Sequence, residues 1–264
     1  MFEPMTLRSF LPICAAAAWL AVAGCSTSPH SVRDTRCYEL RTYYAAPGKL
    51  DDLNARFRQH TMKLFAKHGM ENVAYWMPIE NPDNRLIYLL SFPSRAAREE
   101  AWKAFGSDPE WKAVAQATEG NGRLVTKVDV LFLETTDFSP KVKTGNVSRS
   151  GVFELRTYTT PPGRLPNLDA RFRDHTVELF KQHGIKSWAY FHELPGQPGS
   201  DTTLLYFLIH PSQEAAKSAF DAFRADPAWI AARAASEQAA GGPLTVSNGV
   251  KSVFLRATDN SPTK

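Results

Sequence analysis

The 264-residue chain is 43% hydrophobic and 22% charged with a net charge of +4, which excludes an extended disordered protein and fits one large domain or two small ones. Its 31 basic residues are scattered among 27 acidic ones, so no continuous cationic face is expected and nucleic acid is not an expected partner. Three cysteines, Cys14, Cys25 and Cys37, are too few for a disulfide scaffold.

In chain order, Arg8 precedes a mostly apolar run from Phe10 to Ala23 that ends on small residues and Cys25. Residues 1–24 therefore read as a secretory signal, with Met1 or Met5 as the start. The run falls short of the about 20 apolar residues that a spanning helix needs. The string VAGC at 22–25 resembles the bacterial lipobox, and the resemblance implies cleavage before Cys25, acylation of that cysteine, and a membrane partner reached through its lipid. An ordinary cleavable signal is the alternative. Ser26 after the cysteine is similar to the sorting pattern of outer-membrane lipoproteins, so the expected location is the cell envelope, at the outer membrane and facing the periplasm. Residues 25–36 are then a tether.

From residue 37 the pattern changes. CYELRTYY is an aromatic and β-branched run broken at Pro47-Gly48, which predicts a strand. Leu53, Phe57 and Leu64 recur at helical spacing between Leu50 and His68, and Gly69 stops that helix. NVAYWMP and RLIYLLSFP read as strands around the turn-rich IENPDN. Ser94 caps a second helix, Asp108-Pro109 starts a third, and LVTKVDVLFLE closes the unit as a strand. The order βαββαβ is that of the ferredoxin-like unit.

The unit is then written again. Aligning Tyr38 with Phe153 matches 21 of 38 positions, and RFRQHT at 56–61 returns as RFRDHT at 171–176. After an insertion in HELPGQPGSD, SDPEW is answered by ADPAW and FLETTDFSP by FLRATDNSP. Two domains follow, 37–140 and 151–264, joined by the polar linker 141–150. Cys37 is matched by Val152, which points to a small apolar role rather than a nucleophile. LIYLLSF and TLLYFLI are almost continuously apolar, so both faces of each sheet need cover. The economical arrangement is α+β: tandem ferredoxin-like units closing two four-stranded sheets into one barrel, helices outside, as an intrachain pseudo-dimer.

YELRTY, PGKL, RFRQHT, LFAKHGM, SDPEW and LETTDFSP together resemble the NIPSNAP family, within the dimeric α+β barrel superfamily. The resemblance covers nearly all of the chain after the tether. It implies units that ordinarily pair between chains, and interaction roles rather than a settled activity.

Candidate site residues come from the matched positions. Glu39, Arg41 and Tyr43 share one strand face, as do Glu154, Arg156 and Tyr158. If the helices take the Tyr38/Leu40 face, this polar row looks into the barrel, as a register-fixing network or as a ligand cavity. On the helix, His60 lies beside the apolar stripe and His68 within it, repeated by His175 and His183. Neutral imidazole is a common metal ligand, and the wider superfamily includes haem binders, so haem at His60 or His175 stands as an alternative to no cofactor. His60 and His68 are too far apart on the helix to share an ion, so no metal centre is expected; a histidine hydrogen-bonded to backbone is the competing reading. Glu119 and Glu237 read as helix-end partners for a basic side chain, or as acids and bases. The expected function is a lipid-anchored binding or interaction module taking a protein partner or a small hydrophobic ligand, with further homo-oligomerisation open. The rival is a small oxygenase- or isomerase-like enzyme using a cavity lined by these residues, with His60 or His175 as acid–base.

Overall fold

The computed structural model describes residues 1–2, 34–148 and 151–264. The signal segment, the Met5 start, Cys25 and most of the tether lie outside the described residues. No helix among the described residues is long and apolar enough to cross a membrane.

Each copy forms its elements for the reasons legible in its residues. β1 (Cys37–Ala45) ends before the positive-φ Gly48, and α1 (Leu50–Arg56) follows. A π-turn at Phe57–Thr61 leads into α2 (Met62–Lys67), which stops at His68 and the left-handed Gly69. β2 (Glu71–Pro78) and β3 (Arg85–Phe92) come next. Ser94 Oγ accepts from the Ala97 amide and caps α3 (Arg95–Ser107); Asp108 caps α4 (Pro109–Glu119), with proline in its first turn. β4 (Val125–Thr135) closes the copy. The second copy repeats this as β5 (Val152–Thr159), α5 (Leu165–Arg171), a π-turn at Phe172–Thr176, α6 (Val177–Gln182), β6 (Lys186–Glu193), β7 (Thr203–His210), α7 (Gln213–Ala225), α8 (Pro227–Ala239) and β8 (Val250–Ala257).

The strands close one barrel in the order β1-β3-β2-β8-β5-β7-β6-β4. Four consecutive strands come from each copy, and the seams are short: β2 meets β8 over Trp76–Pro78, and β4 meets β6 over Leu133–Thr135. Residues 33–264 pack as one compact unit. The turn after each last strand crosses to the other copy, where Arg58 pairs with Asp259 and Arg173 with Asp137, both at 2.8 Å. Ser261 and Ser139 accept from the Tyr75 and Tyr190 amides at 2.9 and 3.0 Å, beside the bulges of β2 and β6.

The two faces of β1 are the reverse of the conditional expectation. Tyr38 and Leu40 point into the barrel, where Trp76, Phe153, Trp188, Phe191 and Phe207 pack with them. Glu39, Arg41 and Tyr43 lie on the other face, under the helices. The reason is volume: aromatic rings from both copies already fill the interior, with Trp76 4.9 Å from Phe207 and 5.8 Å from Trp188, whereas the helix layer supplies partners for charge.

Two connecting segments are more ordered than a tether or linker implies. Asp34 accepts from Arg36 and from the Tyr38 hydroxyl, the latter at 2.6 Å. In the linker, Val142 is buried on the barrel cluster, Gly145 bridges to Thr263, and the Lys143 carbonyl accepts from the Trp188 indole at 3.0 Å. The polar composition of 141–150 hid these backbone contacts.

Candidate functional site

The residues singled out from the sequence assemble into two related clusters, one per copy, between the helices and the sheet. Alternation along β1 drives Glu39 into this layer, where it is fully buried. Its Oε1 accepts from Arg41 Nη1 at 2.5 Å and Arg98 Nη2 at 2.8 Å; Oε2 accepts from Arg98 Nε at 2.9 Å and Trp102 Nε1 at 2.8 Å. The Arg41 guanidinium lies 4.3 Å over the Trp102 ring, a favourable cation–π placement. Tyr43 packs edge-on to Tyr88 and Phe57.

In the second copy Glu154 is held differently. Arg156 Nη1 at 2.5 Å and Ser252 Oγ at 2.6 Å donate to Oε1, while His210 Nε2 donates to Oε2 at 2.9 Å. Arg156 also donates to the hydroxyls of Tyr206 and Tyr158, at 3.1 and 3.4 Å. His210, Ser252 and Phe220 stand where the first copy has Phe92, Val130 and Trp102. His210 takes over the oxygen that the Trp102 indole serves in the first copy.

Burial alone would raise both carboxyls, but the donors outweigh it. Arg98, Arg41 and Trp102 hold Glu39 below its ordinary range, and His210, Arg156 and Ser252 do the same for Glu154. An ionised carboxylate saturated with donors is a weak base and has no proton to give. These clusters are therefore suited to fixing strands and helices, not to proton transfer.

A second charged layer lies on the helices. Arg56 and Arg171 are both buried, their guanidiniums 5.2 and 5.1 Å over Trp111 and Trp229. Arg56 meets Glu119 at 2.9 Å. Glu237, however, accepts from Arg233 at 3.1 Å and stays 3.8 Å from Arg171. Arg171 Nε and Nη1 have no hydrogen-bond partner among the described residues, and burial pulls this guanidinium's pKa down. The position matching Arg233 is Ala115, so the competition exists only in the second copy. Glu119 and Glu237 thus sit where the sequence placed them, beside basic side chains.

His60 and His175 join neither cluster. They belong to the π-turns; His60 is half-buried, His175 is exposed, and neither has a hydrogen-bond partner among the described residues. The bonded histidines of this helix are His68 and His183, which meet Asp108 and Asp226 at 2.7 and 2.8 Å. Their partner is a carboxylate at a helix cap rather than backbone, because the caps of α4 and α8 lie beside the ends of α2 and α6. No group of three or more potential metal ligands occurs among the described residues. Cys37 is a buried free thiol, its pKa raised by burial, as an apolar filler would be.

Sequence reading missed Arg98, Trp102, His210 and Ser252, which come from elements whose approach to β1 and β5 the pattern does not specify. One signal was present: TLLYFLIH ends a fully buried run on histidine. The π-turns were missed as well. Their mark is the repeated RFRQHT and RFRDHT, whose threonines donate to the carbonyls five residues back, Thr61 to Arg56 at 3.3 Å and Thr176 to Arg171 at 3.1 Å. A cleft of about 390 Å³ opens beside the second cluster, with Ser148, Lys186, Ile209 and His210 in its walls.

A closed barrel of eight strands built from two matched α+β units defines the class, and comparison with known proteins gives the family. The NIPSNAP family model matches residues 38–140 and again 153–262; the chain belongs to the NIPSNAP family. It is 29% identical over 163 residues to mouse protein NipSnap homolog 3B and 30% identical over 162 residues to human protein NipSnap homolog 3A. Each match covers 60% of this chain and 63% of the relative, so the chain spans less than two thirds of their length. Among solved structures, an anthrone oxidase-like protein is similar over 88% of this chain and 95% of its own, with a TM-score of 0.58 at 12% identity. That likeness is one of fold.

Proposed function

We propose that this chain is a binding and interaction module of the bacterial cell envelope, held at the outer membrane by lipid on Cys25, whose two NIPSNAP units stand in for the two subunits of a dimeric α+β barrel. The observation that carries the reading is the filled barrel. Trp76 packs at 5.5 Å from Phe153 and 4.9 Å from Phe207, so rings from both copies occupy the space a substrate would need. Saturation of Glu39 and Glu154 by donors adds to it, as does the position of His60 and His175, the acid–base candidates of the enzyme reading, which join neither cluster. A haem site does not fit the residues either: His60 and His175 sit on the helices outside the barrel, and no step through haem is proposed.

Arg171, whose buried Nε and Nη1 have no hydrogen-bond partner among the described residues and whose ion pair to Glu237 is long at 3.8 Å, supports a second, narrower reading, in which the second helix–sheet layer accepts a small anionic ligand. Two measurements test the proposal. Labelling with a radioactive fatty acid should mark the native chain and not Cys25→Ser; equal labelling would remove the anchor. The purified chain should not turn over anthrones or quinones above background; turnover at enzyme-like rates would establish the enzyme instead.

A further inference from the structure

Barrel closure leaves a strand edge open at each of its two seams among the described residues, and the edge of β4 is the longer. On its outer side β4 pairs with β6 only over Leu133–Thr135, and the next residue, Phe132, is bonded by the Leu194 amide and by Gln197. From Val125 to Leu131 no backbone partner lies on that side among the described residues. Lys127, Val128 and Asp129 are also solvent-exposed there, the Lys127 and Asp129 side chains to 60% and 47% and Val128 as a whole to 39%. An unpaired edge of this length is a template for another strand.

The charges on the edge select the occupant. Lys127 and Asp129 flank Val128 and share a face, paired to each other at 3.0 Å, with Asp129 also accepting from Tyr44 at 2.9 Å. A second β4 laid antiparallel with the two-fold axis at Val128 puts each Lys127 opposite the other chain's Asp129, Thr126 opposite Val130, and valine opposite valine. The four charges then alternate in sign around a square, each between two opposites. The matching edge on β8 offers nothing similar: Lys251 is followed by Ser252 and Val253, with no acidic residue to mirror it.

We propose that the chain self-associates as a two-fold dimer by antiparallel pairing of β4 edges centred on Val128, continuing the sheet across both barrels. The contact is isologous and closes at two copies. It holds whether or not the helix–sheet clusters take a ligand.

The test uses the full chain in mild detergent. Val128→Cys should form a 128–128 disulfide dimer, identified by peptide mass, while Val250→Cys at the matching β8 position should not. In analytical ultracentrifugation Lys127→Asp should raise the dimer dissociation constant on the order of tenfold, by replacing two attractions with two repulsions. Adding Asp129→Lys should restore it, because the square is rebuilt with its signs exchanged. A monomer at all accessible concentrations, a dimer linked through Val250→Cys, or single and double charge variants of equal affinity would each overturn the proposal. Should the cysteine variant fail to fold, the charge variants decide it alone.

Discussion

Glu154 and His210 meet at 2.9 Å inside the second copy, whereas the residue matching His210 in the first copy is Phe92 and the equivalent glutamate turns to Arg98 and Trp102. The carboxylate and its strand arginine are kept while their clamps are exchanged. The buried charge is thus what both copies need, and its particular partners are interchangeable. Removing the carboxylate should therefore hurt more than removing a clamp. Glu154→Gln leaves Arg156 buried with its charge uncompensated and should cost about 3–5 kcal/mol. His210→Phe leaves Arg156 and Ser252 on the carboxylate and should cost about 1–3 kcal/mol. Urea denaturation at pH 7 measures both, and equal losses would contradict the ranking.

The same groups set the response to acid. Asp34 is brought to about 2 by its bonds to Arg36 and Tyr38, which outweigh burial. Glu39 and Glu154 are also lowered, and Asp226 is lowered by His183 and the Ala228 amide. A carboxylate with a depressed folded pKa contributes stability above its unfolded value and loses it as pH falls through the folded one. Glu193 acts in the opposite sense, since burial raises it and its protonation relieves a cost. With depressed groups in the majority, the urea midpoint should fall steadily from about pH 4.5 towards pH 2. A midpoint unchanged across that interval would show that these carboxylates are not held as described.

Inside the barrel, the Trp76 indole N–H has no partner among the described residues, and the position matching Trp76 is Phe191. Trp76→Phe removes an unsatisfied donor at the expense of some volume, so the two effects should cancel to within about 1 kcal/mol. Trp76→Ala should cost about 3–5 kcal/mol. Thermal denaturation of the two variants separates these outcomes, and a large loss in Trp76→Phe would mean that the indole nitrogen is bonded.

Much of the fold was legible because it rests on periodicity and duplication. The strand runs, the Ser94 and Asp108 caps and the breaks at Gly48 and Gly69 are local signals, and each governs an element end in the structure. The orientation of β1 was not legible. Glu39 and Tyr38 alternate whichever way the strand faces, and both faces are buried, so only the choice between ring packing inside and arginine pairing outside decides the direction. The site suffered for the same reason. Arg98 is 59 residues from Glu39, and nothing in the spacing of α3 announces that its first turn lies over β1. The π-turn escaped because Leu53, Phe57 and Leu64 fit an uninterrupted helical spacing across it.

The central claim is that two copies fold as a single barrel with one shared, filled interior. Its most direct test follows equilibrium unfolding of residues 25–264, which lack Trp19, by two signals: fluorescence of the interior Trp76 and Trp188, with Trp102, Trp111 and Trp229 replaced by phenylalanine, and far-ultraviolet circular dichroism. The account requires one coincident transition for the joined chain, and no stable monomeric fold for residues 37–140 or 151–264 alone. Two separate transitions, each reproduced by an isolated half, would contradict it.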